Sequence, residues 1–405
     1  MRLAVIGLPQ SVHVQKWLYG LQRVGADVTL FSPFATKVSG IPCVQVQGPR
    51  WQEPLNLGYL WYHLNGRALR EALDAHRIDV AHAIDITPWS VWAWRSGFQP
   101  LVSTAMGSDV LPWLSDPPAE VQLRNAANPE GSGSWRQQMA FAVRKRVFRF
   151  GVQHALAASV LVTGDNQVLV DGVCDGFGVP RDRVRLNRWG LEPHLFEVSS
   201  QLLAATQRAL DIAPHQRLVL SPRGATALYQ GDRILEGFAH ALAEGLTSHV
   251  FVFCTFGQHI PRQVQRLADE LTTQYANFRL VDRPVPREEM GVLWSLTDIF
   301  VSAPVYDGFS SAVNEGRYVG AVPIINQIPA TDELFVHHEN AWVVDPFTPE
   351  NLADALVSLV ADLPEWKHCF AQKNQPWVKA NGILDTNLVR FLDWCAELVA
   401  QERVV

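Results

Sequence analysis

The chain has 405 residues, a length that predicts two or three domains. Hydrophobic residues make up 48% of it and charged residues 18%, which is typical of a globular protein with an ample core. The net charge of −6 without a basic tail argues against a dedicated nucleic-acid binder. Five scattered cysteines without a CxxC pair favour a reduced, cytoplasmic chain and argue against a zinc site.

The first half of the chain alternates short apolar runs with longer amphipathic ones. Residues 2–7 predict a buried strand, residues 12–24 a helix and residues 28–31 the next strand. With the first strand this close to the start, we expect no signal peptide. Further strands are predicted at 80–83, 100–104, 159–163 and 183–186. Strands that alternate with helices indicate a parallel α/β sheet.

The second half repeats this architecture without visible sequence repetition. Strands are predicted at 217–221, 249–254, 277–281, 298–302, 322–325 and 341–344. Helices are predicted at 230–244, 260–274, 287–296, 310–319 and 349–361. We place a hinge at 192–215, which carries no strand signal, and domains at 1–195 and 196–380. A last helix, 385–400, is a candidate to pack back on the first domain.

One segment breaks the alternation of strands and helices. Residues 115–135 are rich in Pro, Gly, Ser and Asn, which predicts a long mobile loop of the kind that serves as a lid or binding loop. The next stretch, 136–150, predicts a basic helix that includes Arg144, Lys145 and Arg146. A solvated surface is the simpler interpretation of this helix, and contact with a membrane surface is the alternative. No apolar run approaches the roughly 20 residues of a membrane span.

Two Rossmann-like halves predict a nucleotide ligand at the carboxyl ends of the strands. The first turn reads IGLPQSVH, so the GxGxxG dinucleotide fingerprint is missing. The sequence contains no GxxxxGK[ST] motif either. Both observations argue against a dehydrogenase and an ATPase.

Six stretches, in order along the chain, resemble the retaining glycosyltransferases of family 4. They are HVQKWLYGLQRVGADVTLFS, DVAHAID, LVSTAMGSDVL, VRLNRWGLEPHLF, VLSPRGATALYQGDRILEGFAHAL and DGFSSAVNEGRYVGAVPII. The resemblance implies the α/β GT-B fold, with two Rossmann-like, doubly wound domains facing across a cleft. It implies an acceptor-binding domain over 1–195 and a donor-binding domain over 196–380. The implied reaction moves a sugar from a UDP- or GDP-linked donor to an acceptor hydroxyl with retention at the anomeric carbon.

The stretch DGFSSAVNEGRYVG resembles the acid-x7-acid signature of that family, with Asp307 and Glu315 as its acids. A helix that starts near Ser310 would offer unsatisfied backbone N–H groups to a diphosphate. Glu315 lies roughly 7 Å further along such a helix, which suits a ribose. The resemblance implies that Glu315 binds the ribose and that Asp307 binds hydroxyls of the transferred sugar. The donor-binding residues predicted around them are Gly308, Phe309, Ser310 and Ser311.

Arg223 follows a predicted strand directly and is the candidate clamp for phosphate oxygens. The family usually places a lysine a few residues later, where this chain has Tyr229 and Gln230. Val285 lies where the family has its base-binding loop, so we include Gln230 and Val285 among the donor-binding residues.

The resemblance assigns the acceptor to the N-terminal domain, where Ser11, His13 and Asp109 are the candidates. Many family members carry a histidine where this chain has Met106, and Asp109 is the polar group expected to compensate. We predict Asp307, Arg223 and Asp109 as the catalytic residues.

The resemblance implies no metal and no cofactor, since the nucleotide sugar is a substrate. We expect a cytoplasmic enzyme with a small-molecule, glycan or lipid-linked acceptor, and we include peripheral contact with the inner membrane face through the 136–150 helix as a candidate. Two alternatives stay open: a nucleotide-sugar hydrolase or epimerase on the same fold, and a weakly active binding partner of another transferase.

Overall fold

The computed structural model describes residues 1–35, 37–47, 60–114, 116, 135–257 and 260–402, with only the backbone for 135–142, 144 and 402. Its named strands pair in parallel throughout and build two sheets. Helices connect the strands, so the predicted α/β class is confirmed. The predicted loop at 115–135 lies almost entirely outside the described residues.

The first sheet has seven strands in the order β3-β2-β1-β4-β5-β6-β7. They are β1 (Arg2–Ile6), β2 (Asp27–Ser32), β3 (Cys43–Gln45), β4 (Val80–Ile84), β5 (Leu101–Ala105), β6 (Leu161–Gly164) and β7 (Val184–Leu186).

The second sheet has six strands in the order β10-β9-β8-β11-β12-β13. They are β8 (Arg217–Ser221), β9 (His249–Cys254), β10 (Phe278–Val281), β11 (Thr297–Ser302), β12 (Val322–Asn326) and β13 (Trp342–Val344).

Helices follow or precede most of these strands. Those before the second sheet are α1 (Val12–Arg23), α2 (Leu60–Leu64), α3 (Gly66–Ala75), α4 (Val91–Ser96), α5 (Trp135–Ala158), α6 (Gln167–Phe177) and α7 (Ser200–Ala209). The remaining ones are α8 (Gly231–Ala243), α9 (Arg262–Gln274), α10 (Arg287–Leu296), α11 (Ser311–Val319), α12 (Pro329–Asp332), α13 (Pro349–Ala361), α14 (Leu363–Asn381) and α15 (Leu384–Glu402).

Central strands are apolar because both faces of each sheet are covered. Strand β9, HVFVFC, is buried at every position. Its Phe251 and Phe253 join one hydrophobic core, and its Val250 and Val252 join another. In the first sheet, Ala4, Ile6 and Ala81 join one further core, and Val162 and Val184 join another. Continuous apolar runs of this kind are typical of parallel sheets that lie between helical layers.

The chain divides into two compact units, Met1–Arg188 with Leu384–Val405, and Trp189–Ile383. The sequence predicts a domain boundary at residue 195 and a hinge over 192–215. The structure instead includes residues from Trp189 in the second unit, because the Leu191 amide donates to the Gly382 carbonyl at 2.7 Å. Helix α7 also lies inside the segment expected to be a hinge.

Helix α15 packs within the first unit, against α1. The Trp17 and Phe391 rings lie 5.4 Å apart, and Arg23 pairs with Asp385 at 2.6 Å. A Cβ added at Gly20 would lie 2.4 Å from the Leu388 side chain, so a larger residue there would force the two helices apart.

Helix α5 includes the predicted basic segment. Of its described side chains, Val143, Lys145, Arg146 and Phe150 are exposed. Contact with a membrane surface stays a prediction. Among the described residues, no helix combines the length and apolar character that crossing a bilayer requires.

Candidate active site

Polar side chains gather where β8 and β11 end, at the carboxyl edge of the second sheet. These two strands are neighbours in the sheet, so the loops that follow them emerge side by side. Arg223 lies in the loop after β8, and Asp307 and Ser310 lie in the loop after β11. The Val305 amide donates to the Leu228 carbonyl at 2.7 Å and ties the two loops together.

Helix α11 begins immediately after the second loop. Ser310 is its N-cap, and the Ser310 hydroxyl accepts a hydrogen bond from the Val313 amide at 3.3 Å. The remaining N–H groups of a first helical turn have no acceptor within the helix, and the helix dipole adds partial positive charge there. The end of α11 is therefore suited to binding an anion.

Gly316 sets how closely α11 packs on the sheet. A Cβ at this position would lie 2.4 Å from Cε1 of Phe300 in β11. Only glycine permits this approach, which fixes the start of α11 relative to the end of β11.

Arg223 is the centre of the cluster. Its Nη2 pairs with Oδ2 of Asp307 at 2.8 Å, and its Nη1 donates to the Ser310 hydroxyl. The guanidinium carbon also lies 4.6 Å from the centre of the Tyr229 ring. Burial opposes the charged guanidinium, but Asp307 and Tyr229 outweigh it and raise the pKa of Arg223. Burial raises the pKa of Asp307, and the Arg223 charge opposes that rise.

Glu315 lies on α11 beyond the cluster and has a different partner. Its Oε2 accepts a hydrogen bond from Nε1 of Trp294 at 2.8 Å, and Trp294 is buried in α10. The indole therefore fixes the direction of the Glu315 carboxylate. Sequence analysis assigned no tryptophan to the site, because nothing in the local sequence around Trp294 indicates a partner 21 residues away.

Gln230, one of the two residues predicted to stand where the family has its lysine, is hydrogen-bonded to neighbouring groups of the protein. It has a left-handed φ of 50° before α8. Its Nε2 donates to the Ala303 carbonyl at 2.9 Å, and its Oε1 accepts from Arg233 at 2.8 Å. The Gln230 side chain therefore links the loop after β8 to the residue that follows β11.

The other predicted donor residues lie on the same unit. Gly308 donates its amide to Oδ1 of Asp307 at 2.9 Å, which helps to orient that carboxylate. Phe309 is buried, with its ring 6.1 Å from that of Trp377 in α14, and Ser311 is the first residue of α11. Val285 lies between β10 and α10 and packs against the hydrophobic core.

The candidates on the first unit lie at the ends of β1 and β5. Ser11 is the N-cap of α1, and its hydroxyl accepts from the Val14 amide at 3.4 Å. His13, the second residue of α1, is exposed.

Asp109 is buried and holds two loops together. One carboxylate oxygen accepts from the Ile86 amide at 2.6 Å and the other from the Met106 amide at 2.9 Å. The carboxyl group of Asp85, which follows β4, is close enough for the Asp109 charge to act on it. Asp109 therefore has a positioning role that sequence analysis did not foresee, and its contact with an acceptor stays a prediction.

Asp109 is buried and Asp85 is half-buried. Two neighbouring carboxylates repel each other when both are charged, so one of the pair tends to keep its proton. Burial and the neighbouring Asp109 raise the pKa of Asp85 well above its ordinary value. Burial raises the pKa of Asp109, and the amides of Ile86 and Met106 oppose that rise. We therefore regard Asp85 as the protonated member. It stands at the end of the stretch DVAHAID, which sequence analysis noted without assigning Asp85 a role.

Solved structures of the same fold cover nearly the whole chain. A glycosyltransferase from Rickettsia africae ESF-5 superposes with a TM-score of 0.72 at 13% identity, covering 98% of each chain. HepE from Anabaena, in complex with UDP and glucose, gives 0.70 at 14%, covering 98% of this chain and 100% of that one. WaaG, a glycosyltransferase involved in lipopolysaccharide biosynthesis, gives 0.67 at 14%, covering 97% and 99%. The fold is therefore that of the GT-B glycosyltransferases, as predicted.

Two family models match the sequence, one in each half. Residues 2–127 match the model described as "Glycosyl transferase 4-like", and residues 232–375 match "Glycosyl transferases group 1". No curated protein sequence matches the chain. The chain belongs to the family-4-like, group 1 glycosyltransferases, which confirms the resemblance drawn from the sequence.

Proposed function

We propose that the enzyme transfers a sugar from a nucleoside-diphosphate sugar to an acceptor hydroxyl and retains the configuration at the anomeric carbon. The observation that carries this proposal is the meeting of Arg223 with the N-terminus of α11. A guanidinium and a helix N-terminus are complementary to a diphosphate in both charge and hydrogen bonding.

The roles of the two acids follow from their surroundings. Glu315 lies further along α11, held by Trp294, in a position to accept hydrogen bonds from the two hydroxyls of a ribose. Asp307 stands beside Arg223, where it can bind hydroxyls of the sugar that is transferred. Arg223 stabilises the departing diphosphate.

UDP-glucose is the first donor to test. HepE has been solved with UDP, with UDP and glucose, and with UDP-glucose. A GDP-linked donor is the second candidate. We assign Ser11, His13 and Asp109 to the acceptor side, with Asp109 acting through the loops it holds.

We propose that the reaction needs no metal, because Arg223 and the helix end supply the positive charge that a divalent ion would otherwise bring to the diphosphate. Activity is therefore expected to persist in excess EDTA. Loss of activity in EDTA that magnesium or manganese restores would contradict this part of the proposal.

The proposal is tested by measuring thermal shifts with UDP, GDP and their sugars, followed by nucleotide release with and without acceptor sugars or lipids. Binding raises the melting temperature by mass action. Release that depends on an acceptor supports a transferase, and release with water alone supports a hydrolase. Binding without release supports the weakly active partner.

Arg223→Ala is the matching variant. Loss of a charge-assisted contact costs about 2–3 kcal/mol, which corresponds to roughly 30- to 150-fold in kcat/KM. Arg266→Ala is the control, because Arg266 is 71% exposed on α9 and pairs with Glu270. Activity of Arg223→Ala within about threefold of the wild type would place Arg223 outside the site.

A further inference from the structure

Tyr229 stands beside Arg223 in a turn that is held from two sides. Its amide donates to the Thr226 carbonyl at 2.9 Å, which closes the turn. The neighbouring Leu228 carbonyl accepts from Val305 at 2.7 Å, which fixes the turn against the loop before α11. The position of the Tyr229 side chain is thus set by the same two loops that build the anion-binding end of α11.

Tyr229 contacts Arg223 through its ring. The guanidinium carbon lies 4.6 Å from the ring centre, a distance at which a cation is attracted to an aromatic face. The guanidinium pairs with Asp307 and donates to the Ser310 hydroxyl, so the hydroxyl hydrogen of Tyr229 is available to another group.

Among the described residues, no side chain or carbonyl accepts that hydrogen. The Tyr229 side chain is half-buried, and its ring lies against the Arg223 guanidinium, which itself donates to Ser310 at the start of α11. These surroundings favour an anionic acceptor. Gln230, the next residue, cannot take this place because both ends of its amide are already bonded to Ala303 and Arg233.

We propose that Tyr229 binds the donor diphosphate directly, donating its hydroxyl hydrogen to a phosphate oxygen while its ring holds the Arg223 guanidinium in place. This inference rests on the proposed function and adds a ligand to the same site. Tyr229 is neutral, so donor binding should depend less steeply on ionic strength in the wild type than in Tyr229→Lys.

Three variants separate the hydroxyl from the ring. Tyr229→Phe removes only the hydroxyl, Tyr229→Leu removes the hydroxyl and the ring, and Tyr229→Lys supplies a cation. Tyr275→Phe is the matched control, because Tyr275 ends α9 and packs on the hydrophobic core. UDP and GDP are titrated by calorimetry against the wild type first, and the tighter of the two is used throughout.

Tyr229→Phe should bind that nucleotide about 10-fold more weakly, because a hydrogen bond to a charged group is lost, while its melting temperature without ligand stays unchanged. Tyr229→Leu should lose more, since Arg223 is then less well held. Tyr229→Lys should regain affinity at low salt and lose it steeply as salt is added. Donor KM should rise in Tyr229→Phe more than kcat falls.

Tyr229→Phe within twofold of the wild type, with Tyr229→Leu clearly weaker, would assign the ring alone to the site and overturn the inference. A wild-type protein that binds neither UDP nor GDP would remove the proposed function and this inference together. Normal nucleotide binding that is lost in Arg223→Ala but kept in Tyr229→Phe would leave the proposed function standing and remove only the role of the hydroxyl.

Discussion

Asp307 and Glu315 belong to one signature but have different partners. Asp307 faces the Arg223 guanidinium at 2.8 Å, and Glu315 is held by the Trp294 indole at 2.8 Å. Neutralising each of them should therefore have different consequences.

Glu315→Gln should keep an oxygen for the Trp294 hydrogen bond but lose the negative charge that favours the ribose. The contact is the same before and in the transition state, so donor KM should rise more than kcat falls. Steady-state kinetics with varied donor concentration measures this division. A fall in kcat with an unchanged KM would contradict the ribose assignment.

Asp307→Asn should lower kcat by about 100-fold, because the carboxylate positions the reacting sugar. It should not weaken nucleoside diphosphate binding, since it removes a negative charge next to the phosphate site and frees Arg223 for the ligand. Calorimetric titration of UDP or GDP is the measurement. Equal loss of nucleotide affinity in Asp307→Asn and Glu315→Gln would show that the two acids act as one unit.

The raised pKa of Asp85 predicts how the stability of the protein depends on pH. Burial and Asp109 raise its pKa, so the folded protein keeps a proton that the unfolded chain releases above about pH 4. Stability should therefore fall as pH rises through the interval between the unfolded and folded pKa values. Asp85→Asn stays neutral and should show a smaller fall, so its melting temperature should exceed that of the wild type increasingly towards neutral pH.

The control for that comparison is Asp74→Asn, because Asp74 is exposed and pairs with Arg70 on the same helix. A difference between Asp85→Asn and the wild type that is the same at every pH would contradict the proton kept on Asp85.

At the scale of elements, α11 depends on close packing against the sheet. Gly316→Ala would place a methyl group 2.4 Å from the Phe300 ring, so the helix must shift. Overpacking of this kind costs about 1–3 kcal/mol. The melting temperature should fall, and donor affinity should fall as well because Ser310 and Glu315 move with the helix.

Gly172→Ala is the matched control. It also lies within a helix, but its added methyl group would meet Leu114 and Leu111 only at 3.4 and 3.5 Å, which is ordinary contact. The higher helix propensity of alanine should make it neutral or slightly stabilising. If Gly316→Ala behaves in the same way, the spacing of α11 is not critical to the site.

Element by element, the sequence was informative where burial and periodicity agreed. Strand β8 runs over Arg217–Ser221, as expected from 217–221, and α11 starts one residue after the predicted 310. Strand β3 was missed because it is only three residues long and none of them is buried. Helix α14 was missed because it continues through Pro376, which normally argues for a helix end.

The site could be predicted only in part, because the local sequence shows the start of a helix but not which distant residues meet there. A helix start with an acid before it and an acid inside it is visible in DGFSSAVNEG. The pairing of Arg223 with Asp307 is not, because it depends on β8 and β11 being neighbours in the sheet although 75 residues separate the two strands. The same holds for Asp85 and Asp109, which the adjacent strands β4 and β5 bring together.

At the scale of the whole molecule, the first unit is built from two separate segments of the chain. Helix α15 packs on α1 through Phe391 and Leu388, and Asn387 donates to the Arg188 carbonyl at 2.9 Å. Truncation after Ile383 should therefore destabilise the first unit and leave the second unit folded. Limited proteolysis followed by mass spectrometry should recover a fragment close to Trp189–Ile383 from the truncated protein.

Phe391→Ala is a milder version of the same experiment and should cost about 3–5 kcal/mol in the first unit alone. Phe309→Ala, in the second unit, is the complementary control. Loss of both units together in Phe391→Ala would contradict the independence of the second unit.

The chain passes from the first unit to the second and back again, so the ribosome synthesises the two segments of the first unit at different times. The first 188 residues are made first, but α15 is made only after all of the second unit. At typical rates of translation, that interval lasts roughly 10 to 40 s. Throughout it, the α1 surface that α15 later covers, including Trp17, lies open in the nascent chain. A chaperone that binds apolar segments would find its target there, and the second unit would complete its fold before the first.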